Sequence, residues 1–195
     1  ALGQGTNRSH VMQAPTVAEL TQWIEKAQQE ASGPAAGPPI TPVSREGDLP
    51  LSFAQQRLWF LAQLEPENTA YNISTAVRLT GLLNTDALLL SMNEIIARHE
   101  TLRTTFPAVD GVAVQVIAPH MRLLVSEIDL RLMPEEVRDV QVSRVLTADA
   151  QRPFHMAEGP LVRVTLVREC GRSHVLQLTM HHIISDAWSM GLLIQ

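Results

Sequence analysis

The sequence predicts an α/β fold in which helices flank a mixed sheet. Segments of alternating apolar and polar residues, typical of strands, are interspersed with segments whose apolar residues recur at helical spacing. The chain has 195 residues, 45% of them hydrophobic, which is enough for one substantial domain and a small appendage.

The first predicted element is a helix that begins near Pro15 and Thr16. Its apolar residues lie at helical spacing, at Val17, Leu20, Trp23, Ile24 and Ala27. One amphipathic helix cannot bury its own apolar stripe, so it either packs on the main body or ends another domain. Residues 31–49 are rich in proline, glycine and alanine and are predicted to be an extended linker.

Three elements are expected directly after this linker. Ser52 is a favoured N-cap residue before a helix that continues to Leu61. Residues 71–80 alternate and are rich in β-branched side chains, which predicts a strand. Asn84 and the residue after it can cap a helix over residues 86–99.

The middle of the chain predicts a hairpin, a strand and a helix. Residues 102–106 and 112–117 flank Asp110-Gly111, a dipeptide that favours tight hairpin turns. Residues 123–128 favour a further strand, and a proline begins a charged helix over residues 135–146.

The last part of the chain predicts two strands and a helix. Residues 161–167 and 174–180 are apolar and β-rich, and a turn at Gly171 joins them. The second strand leads directly to two adjacent histidines, and residues 188–195 begin a helix.

Composition excludes several classes of function. The net charge of −5 is unlike that of a nucleic-acid-binding protein. No apolar run reaches the ~20 residues of a membrane-spanning helix. Cys170 is the only cysteine, so no disulfide can form within the chain, and we expect a cytoplasmic protein.

His181 and His182 are the first candidates for a functional site. Histidine can accept and donate protons near neutral pH, and side chains at successive strand positions point to opposite faces. One of the two can therefore act as a general base, while the alternative is that both are structural. A metal site is not expected, because only a helix would bring His182 and Asp186 to one side and no further ligands are clustered nearby.

Asp186 follows the second histidine by four residues and needs a polar partner if it is buried. Arg57 and Arg103 both lie in strongly patterned apolar segments. We expect one of them to form a bidentate pair with Asp186 that fixes the loop carrying His182. The alternative is that both arginines lie at the surface.

Three segments resemble the opening motifs of condensation domains of nonribosomal peptide synthetases. They are LSFAQQRLWFL at residues 51–61, RHETLRTTF at 98–106 and MHHIISDAWS at 180–189. Pro153-Phe154 and GPL at residues 159–161 resemble the segment that precedes the last two strands in that family. The resemblance covers residue 51 to the last residue.

This resemblance implies a chloramphenicol acetyltransferase-like lobe, one of two that flank the active-site tunnel. A carrier domain presents the donor thioester on its phosphopantetheine arm, and the amine held by a second carrier attacks it, so the lobe itself binds no cofactor directly. By resemblance His182 is the catalytic residue, while His181 and Asp186 are structural. Arg57 is the first choice as the partner of Asp186, and Arg103 the second.

The residues after Asp186 separate related activities. Ala187 stands where the family has glycine, so a left-handed backbone or close approach to substrate at that position would lower activity. Trp188 and Ser189, which the resemblance places near substrate, favour condensation over epimerization. An epimerization-type relative and a non-catalytic carrier-binding module are the alternatives. The paired histidines are unlike the aspartates of heterocyclising relatives.

The resemblance also implies a domain organisation. Residues 1–30 resemble the end of a carrier domain, residues 31–49 are the linker, and residues 50–195 are the N-terminal lobe. The expected partners are donor and acceptor carrier domains, a second condensation lobe and a downstream adenylation domain. Without the second lobe we expect this chain to be inactive.

Overall fold

A computed structural model describes residues 16–30, 41–45 and 47–194, in two compact units that divide after Ser44. In the first unit, helix α1 (Val17–Glu30) begins as the sequence predicts. Thr16 Oγ1 accepts a hydrogen bond from the Glu19 amide at 3.3 Å, and the Glu19 carboxylate accepts one from the Thr16 amide at 3.1 Å, which satisfies donors of the first turn. Residues 41–45 have no regular structure, and the rest of the predicted linker up to residue 40 lies outside the described residues.

The second unit alternates strands and helices. In chain order its elements are β1 (Leu49–Pro50), α2 (Phe53–Leu64), β2 (Asn72–Thr80), α3 (Thr85–Arg98), a 3₁₀ turn (Glu100–Arg103), β3 (Thr104–Thr105), β4 (Ala108–Val109), β5 (Val112–Ile117), β6 (Val125–Asp129), α4 (Glu135–Ala150), β7 (Val162–Cys170), β8 (Ser173–His181) and α5 (Ala187–Ile194).

The main sheet has the strand order β2–β8–β7–β6 and is mixed, as predicted. Its β2–β8 and β8–β7 pairs are antiparallel, whereas β6 and β7 are parallel. Parallel neighbours need a crossover connection, and α4 provides it between β6 and β7. Strand β8 is therefore central, and its end carries the paired histidines.

The smaller strands surround β5, which pairs with β1, β3 and β4. The predicted hairpin is present: Asp110 and Gly111 have φ of 50° and 80°, as a tight hairpin turn requires. Only Thr104 and Thr105 of the predicted strand over residues 102–106 pair as a strand. Leu102 and Arg103 belong to the 3₁₀ turn, and Phe106 follows the strand.

Most of the core lies between the main sheet and helices α2 and α3. Its most deeply buried members include Phe106, Leu161, Val164, Leu166 and Met180. Helix α4 packs over a smaller cluster formed by Leu130, Val142, Val167 and Val175. In the described ranges no helix combines the length and apolar character needed to cross a membrane.

Candidate active site

The two adjacent histidines lie in opposite environments, as strand alternation predicts. His181, the last residue of β8, is 3% exposed, whereas His182 is exposed in the turn that follows. The His181 Nδ1 atom accepts the Ile183 amide at 3.1 Å, so the proton of the neutral ring is on Nε2. Burial, and secondarily the neighbouring His182, lower the pKa of His181 to about 4. His181 is therefore neutral near pH 7.

The opposite tautomer is required at His182. Its Nδ1 lies 2.9 Å from the backbone carbonyl of Ser185. Because a carbonyl oxygen can only accept, Nδ1 must donate the hydrogen in this bond. In the neutral ring Nε2 then carries a lone pair, which is the state that a general base needs.

Asp186 caps helix α5 instead of pairing with an arginine. Its Oδ1 accepts the Ser189 amide at 2.8 Å and the Ser189 hydroxyl at 2.6 Å. These two bonds are the main reason that the pKa of Asp186 is lowered from its usual value. The carboxylate thus accepts one of the amides that a helix N-terminus leaves unpaired, and its negative charge is favourable there.

The expected pairing of Asp186 with Arg57 or Arg103 is therefore wrong. Arg57 is exposed on α2. The guanidinium of Arg103 donates to the carbonyl of Ala118 and lies 3.8 Å from Glu100, so it holds the 3₁₀ turn against the end of β5.

The first and third sequence motifs meet at Gln55. Its amide and side-chain carbonyl form a capping box with Ser52, which begins α2. Its Nε2 donates to the Ile183 carbonyl at 3.4 Å, in the turn after the histidines. Gln55 thus ties the start of α2 to the segment that carries His182.

All three motifs line one cleft of about 430 Å³. His182 is on its wall, together with residues from α2, the 3₁₀ turn and the start of α5. The other lining residues are Ser52, Ala54, Gln55, Leu58, Thr101, Thr104, Phe106, Gln115, Ile183, Ile184, Ser185, Asp186 and Ser189. An exposed His182 in a cleft that polar and apolar side chains line together is an arrangement that suits proton transfer to or from a bound substrate.

The three residues after Asp186 begin helix α5. Ala187 is the first helical residue, so its backbone has the right-handed helical conformation, which does not require glycine. Trp188 is 78% exposed. Ser189 lines the cleft and also binds Asp186.

Sequence reasoning missed the role of Gln55, although a serine followed three residues later by glutamine is a recognisable capping signal. The role of the Ser185 carbonyl had no sequence signal, because any residue supplies one. Among the described residues, no group of three or more metal-ligating side chains is placed to hold a metal ion.

Comparison with known proteins identifies relatives over nearly the whole chain. A family model described as "Condensation domain" matches residues 45–195. One of the linear gramicidin synthase subunits of Brevibacillus parabrevis is 46% identical over 185 residues, which are 95% of this chain and 4% of that protein. Another of these subunits is 45% identical over 192 residues, which are 98% of this chain and 2% of that protein. Phosphinothricin tripeptide synthetase PhsC of Streptomyces viridochromogenes is 42% identical over 163 residues, which are 84% of this chain and 15% of that protein. The chain therefore spans only a small part of each of these proteins.

Solved structures with the same fold include two condensation domains. The starter condensation domain of rhizomide synthetase RzmA has a TM-score of 0.71 and 24% identity, over 76% of this chain and 37% of that one. The first condensation domain of the calcium-dependent antibiotic synthetase has a TM-score of 0.67 and 25% identity, over 75% of this chain and 35% of that one. The chain thus spans about a third of each solved domain and has their chloramphenicol acetyltransferase-like lobe fold, as the sequence motifs imply.

Proposed function

The chain belongs to the condensation-domain family, and from this premise we propose that it is the N-terminal lobe of a peptide-bond-forming domain. The observation that carries the proposal is the bond from His182 Nδ1 to the Ser185 carbonyl, which leaves the Nε2 lone pair of a cleft residue unused. The peptide synthases and synthetases among the relatives support the same activity.

The proposed reaction joins two substrates tethered to carrier domains by phosphopantetheine arms. The acceptor amine attacks the carbonyl carbon of the donor thioester, and His182 Nε2 takes the proton that the amine loses. Collapse of the tetrahedral intermediate breaks the carbon–sulfur bond, and the same proton passes to the leaving thiolate. An α-amino group has a pKa of about 8 and imidazole one of about 6.5, so imidazole is only a moderate base for this proton. Proximity of the two tethered substrates therefore supplies part of the rate.

His181 has a supporting role in this proposal. It remains neutral near pH 7 because its pKa is lowered to about 4, so it adds no positive charge beside His182. Its Nδ1 also accepts a hydrogen bond from the Ile183 amide, and the carbonyl of Ile183 accepts one from the Gln55 side chain. Both bonds hold the backbone of Ile183, the residue directly after the proposed base.

The proposal extends to the surrounding protein. A second lobe would close the open side of the cleft, and donor and acceptor carriers would deliver substrate from either face, with an adenylation domain downstream. Helix α1 (Val17–Glu30) would be the last helix of an upstream carrier, since similarity to one gramicidin synthase relative spans 98% of the chain and so extends beyond the condensation match at 45–195. The single cysteine is compatible with a reducing cytoplasm, where we place the protein.

The test is a chimera in which residues 45–195 replace the matching stretch of the gramicidin synthase relative that is 46% identical to this chain. With loaded carriers we expect a new amide bond, detected by mass spectrometry on the acceptor carrier. The His182→Ala chimera should lose about 10²–10⁴-fold in rate, the usual contribution of a general base. His120→Ala is the matched control, because His120 is exposed and does not line the cleft.

Each other outcome contradicts a different part of the proposal. Unchanged product from His182→Ala would remove His182 as the base. Carrier binding without product in the unsubstituted chimera would favour a recruitment module, and an inverted donor without a new amide bond would favour epimerization. The chain by itself should form no product, and turnover by it would show that a second lobe is not needed.

A further inference from the structure

A second group of polar contacts lies at the end of α4. Residues 149–154, here named the α4 exit segment, lead from the last turn of that helix to Phe154. Arg163 donates to the carbonyls of Asp149 at 2.8 Å, Arg152 at 2.7 Å and Pro153 at 3.3 Å. The Asp149 carbonyl belongs to the last turn of α4, where a cation is favoured, and Arg152 and Pro153 follow the end of the helix. One guanidinium therefore binds both the helix end and the segment after it.

Asn72 binds the same segment from the other side. Its Nδ2 donates to the carbonyls of Ala150 at 2.8 Å and Arg152 at 3.0 Å. Asn72 is paired with His181 in the β2–β8 ladder, and the neighbouring Tyr71 carbonyl accepts the His182 amide at 2.8 Å. The α4 exit segment is thus attached directly to the strand end that carries the site.

Arg163 is a buried ion-pair partner as well as a cap. Its side chain is 10% exposed, and its Nε lies 3.4 Å from Asp149 Oδ1. The other oxygen of Asp149 accepts the Thr179 hydroxyl at 2.8 Å, and Thr179 lies opposite Arg163 in the β7–β8 ladder. Thr179 of β8 therefore holds the carboxylate that pairs with the guanidinium.

Phe154 connects this assembly to the histidines. The Arg163 guanidinium carbon lies 3.8 Å from the centre of the Phe154 ring, a cation–π contact. The Phe154 ring is 7% exposed and meets the His181 ring edge-on, with centroids 6.3 Å apart and an angle of 85° between the planes. His181 in turn holds the Ile183 amide of the turn that carries His182.

From these contacts we propose that Arg163 is a positioning residue for His182, acting through the α4 exit segment, Phe154 and His181. The inference rests on the proposed function of His182 as the base. Arg163 is not among the residues that line the cleft, and its effect is to fix the angle at which the end of β8 presents the His182 ring. A lysine in its place keeps the charge but lacks the planar fork that reaches three carbonyls.

The first test uses the 195-residue chain and does not depend on activity. Heteronuclear NMR of the histidine ring nitrogens reports the tautomer of His182, which should be the Nδ1–H form in the unsubstituted protein. Arg163→Lys should mix the two tautomers or shift the His182 signals. The control is Arg168→Lys on the same strand, where Arg168 pairs with Glu127 at 2.6 Å and should leave His182 unchanged.

A second variant keeps the proposal testable if Arg163→Lys does not fold. Phe154→Leu retains an apolar side chain but removes the ring between Arg163 and His181, and it too should alter the His182 signals. If either variant folds and His182 keeps its tautomer and chemical shifts, the positioning role is wrong.

The second test places Arg163→Lys in the gramicidin synthase chimera. We expect kcat to fall by about tenfold, with KM for the loaded carriers unchanged, because the defect lies in the presentation of the base and not in carrier binding. An inactive unsubstituted chimera together with altered His182 signals would overturn the proposed function but leave the positioning role standing. Normal activity and unaltered signals in Arg163→Lys would overturn the positioning role alone.

Discussion

The side chain of Gln55 donates to the backbone carbonyl of Ile183 across 3.4 Å, which joins the first turn of α2 to the turn after the paired histidines. The same side chain accepts the Ser52 amide at 2.9 Å through its carbonyl oxygen. The side-chain carbonyl of Gln55 therefore caps α2, while its side-chain NH2 group supports the turn that carries His182.

A matched pair of substitutions separates these two roles of Gln55. Gln55→Glu keeps the capping acceptor but removes the donor to Ile183, whereas Gln55→Ala removes both. We expect Gln55→Ala to lower the free energy of unfolding by about 1 kcal/mol, and Gln55→Glu to change it little. Both variants should reduce condensation by the chimera. Urea denaturation and product formation are the measurements, and equal stability losses in the two variants would contradict the capping role.

Local signals predicted most of this fold. Ser52 and Gln55 begin α2 through contacts three residues apart, and Asp110-Gly111 forms the expected turn. The antiparallel pairing of the last two strands also follows from a short connection. Such features depend on neighbours in sequence, where residue type limits the options strongly.

Contacts between distant residues were less predictable. The predicted Asp186–Arg57 pair is wrong because the carboxylate binds the amide and hydroxyl of Ser189, three residues away in the first turn of α5. Such competition between local and distant partners is not visible in a sequence. Helix α4 runs on to Ala150, one turn beyond its predicted end, where Arg163 and Asn72 bind its last carbonyls from the sheet. The role of Phe154 beside His181 depends on the same tertiary packing.

The capping role of Asp186 leads to a prediction about α5. Asp186→Ala should increase amide hydrogen exchange at Ser189 and through the first turn of the helix, because both bonds to Oδ1 are lost. Asp186→Asn keeps an acceptor and should be intermediate. Because Arg57 is exposed on α2 and the Asp186 carboxylate binds Ser189 instead, Arg57→Ala should leave this exchange unchanged. Faster exchange at Ser189 in Arg57→Ala would mean that the arginine does act on the cap.

Gly159 packs closely against the side chain of Thr105, and this contact can be tested by substitution. Its φ is +60°, and a Cβ at this position would lie 2.8 Å from Thr105 Cγ2. Gly159→Ala should therefore lower the free energy of unfolding by about 1–2 kcal/mol for the left-handed backbone and by a further ~1 kcal/mol or more for the contact. Adding Thr105→Ser removes the obstructing methyl group and should recover the second part.

Gly111 is the matched control for that cycle. It has φ of +80°, and no atom lies within 4 Å of the position that a Cβ would take, so Gly111→Ala should show only the backbone cost. Its effect should add independently to that of Thr105→Ser in thermal or urea denaturation. The absence of coupling between Gly159→Ala and Thr105→Ser would contradict the contact.

The buried ring of His181 predicts how stability depends on pH. Its pKa is about 4 in the folded protein and about 6.5 when exposed, so between these values the unfolded chain binds more protons. Stability contributed by the neutral ring is complete above about pH 6.5 and is lost as the pH falls towards about 4. The full effect is on the order of 3 kcal/mol from a shift of this size.

Comparison with His181→Asn isolates this contribution from those of the other titrating groups. Asparagine retains an acceptor for the Ile183 amide but does not titrate, so the variant should be less stable at neutral pH yet lose less stability on acidification. The measurement is urea denaturation of both proteins at several pH values between about 7 and about 4.5. The difference between them should narrow as the pH falls, because only the unsubstituted chain has a ring that gains a proton on unfolding. A difference that stays constant over this range would mean that His181 is protonated as readily in the folded state as in the unfolded one.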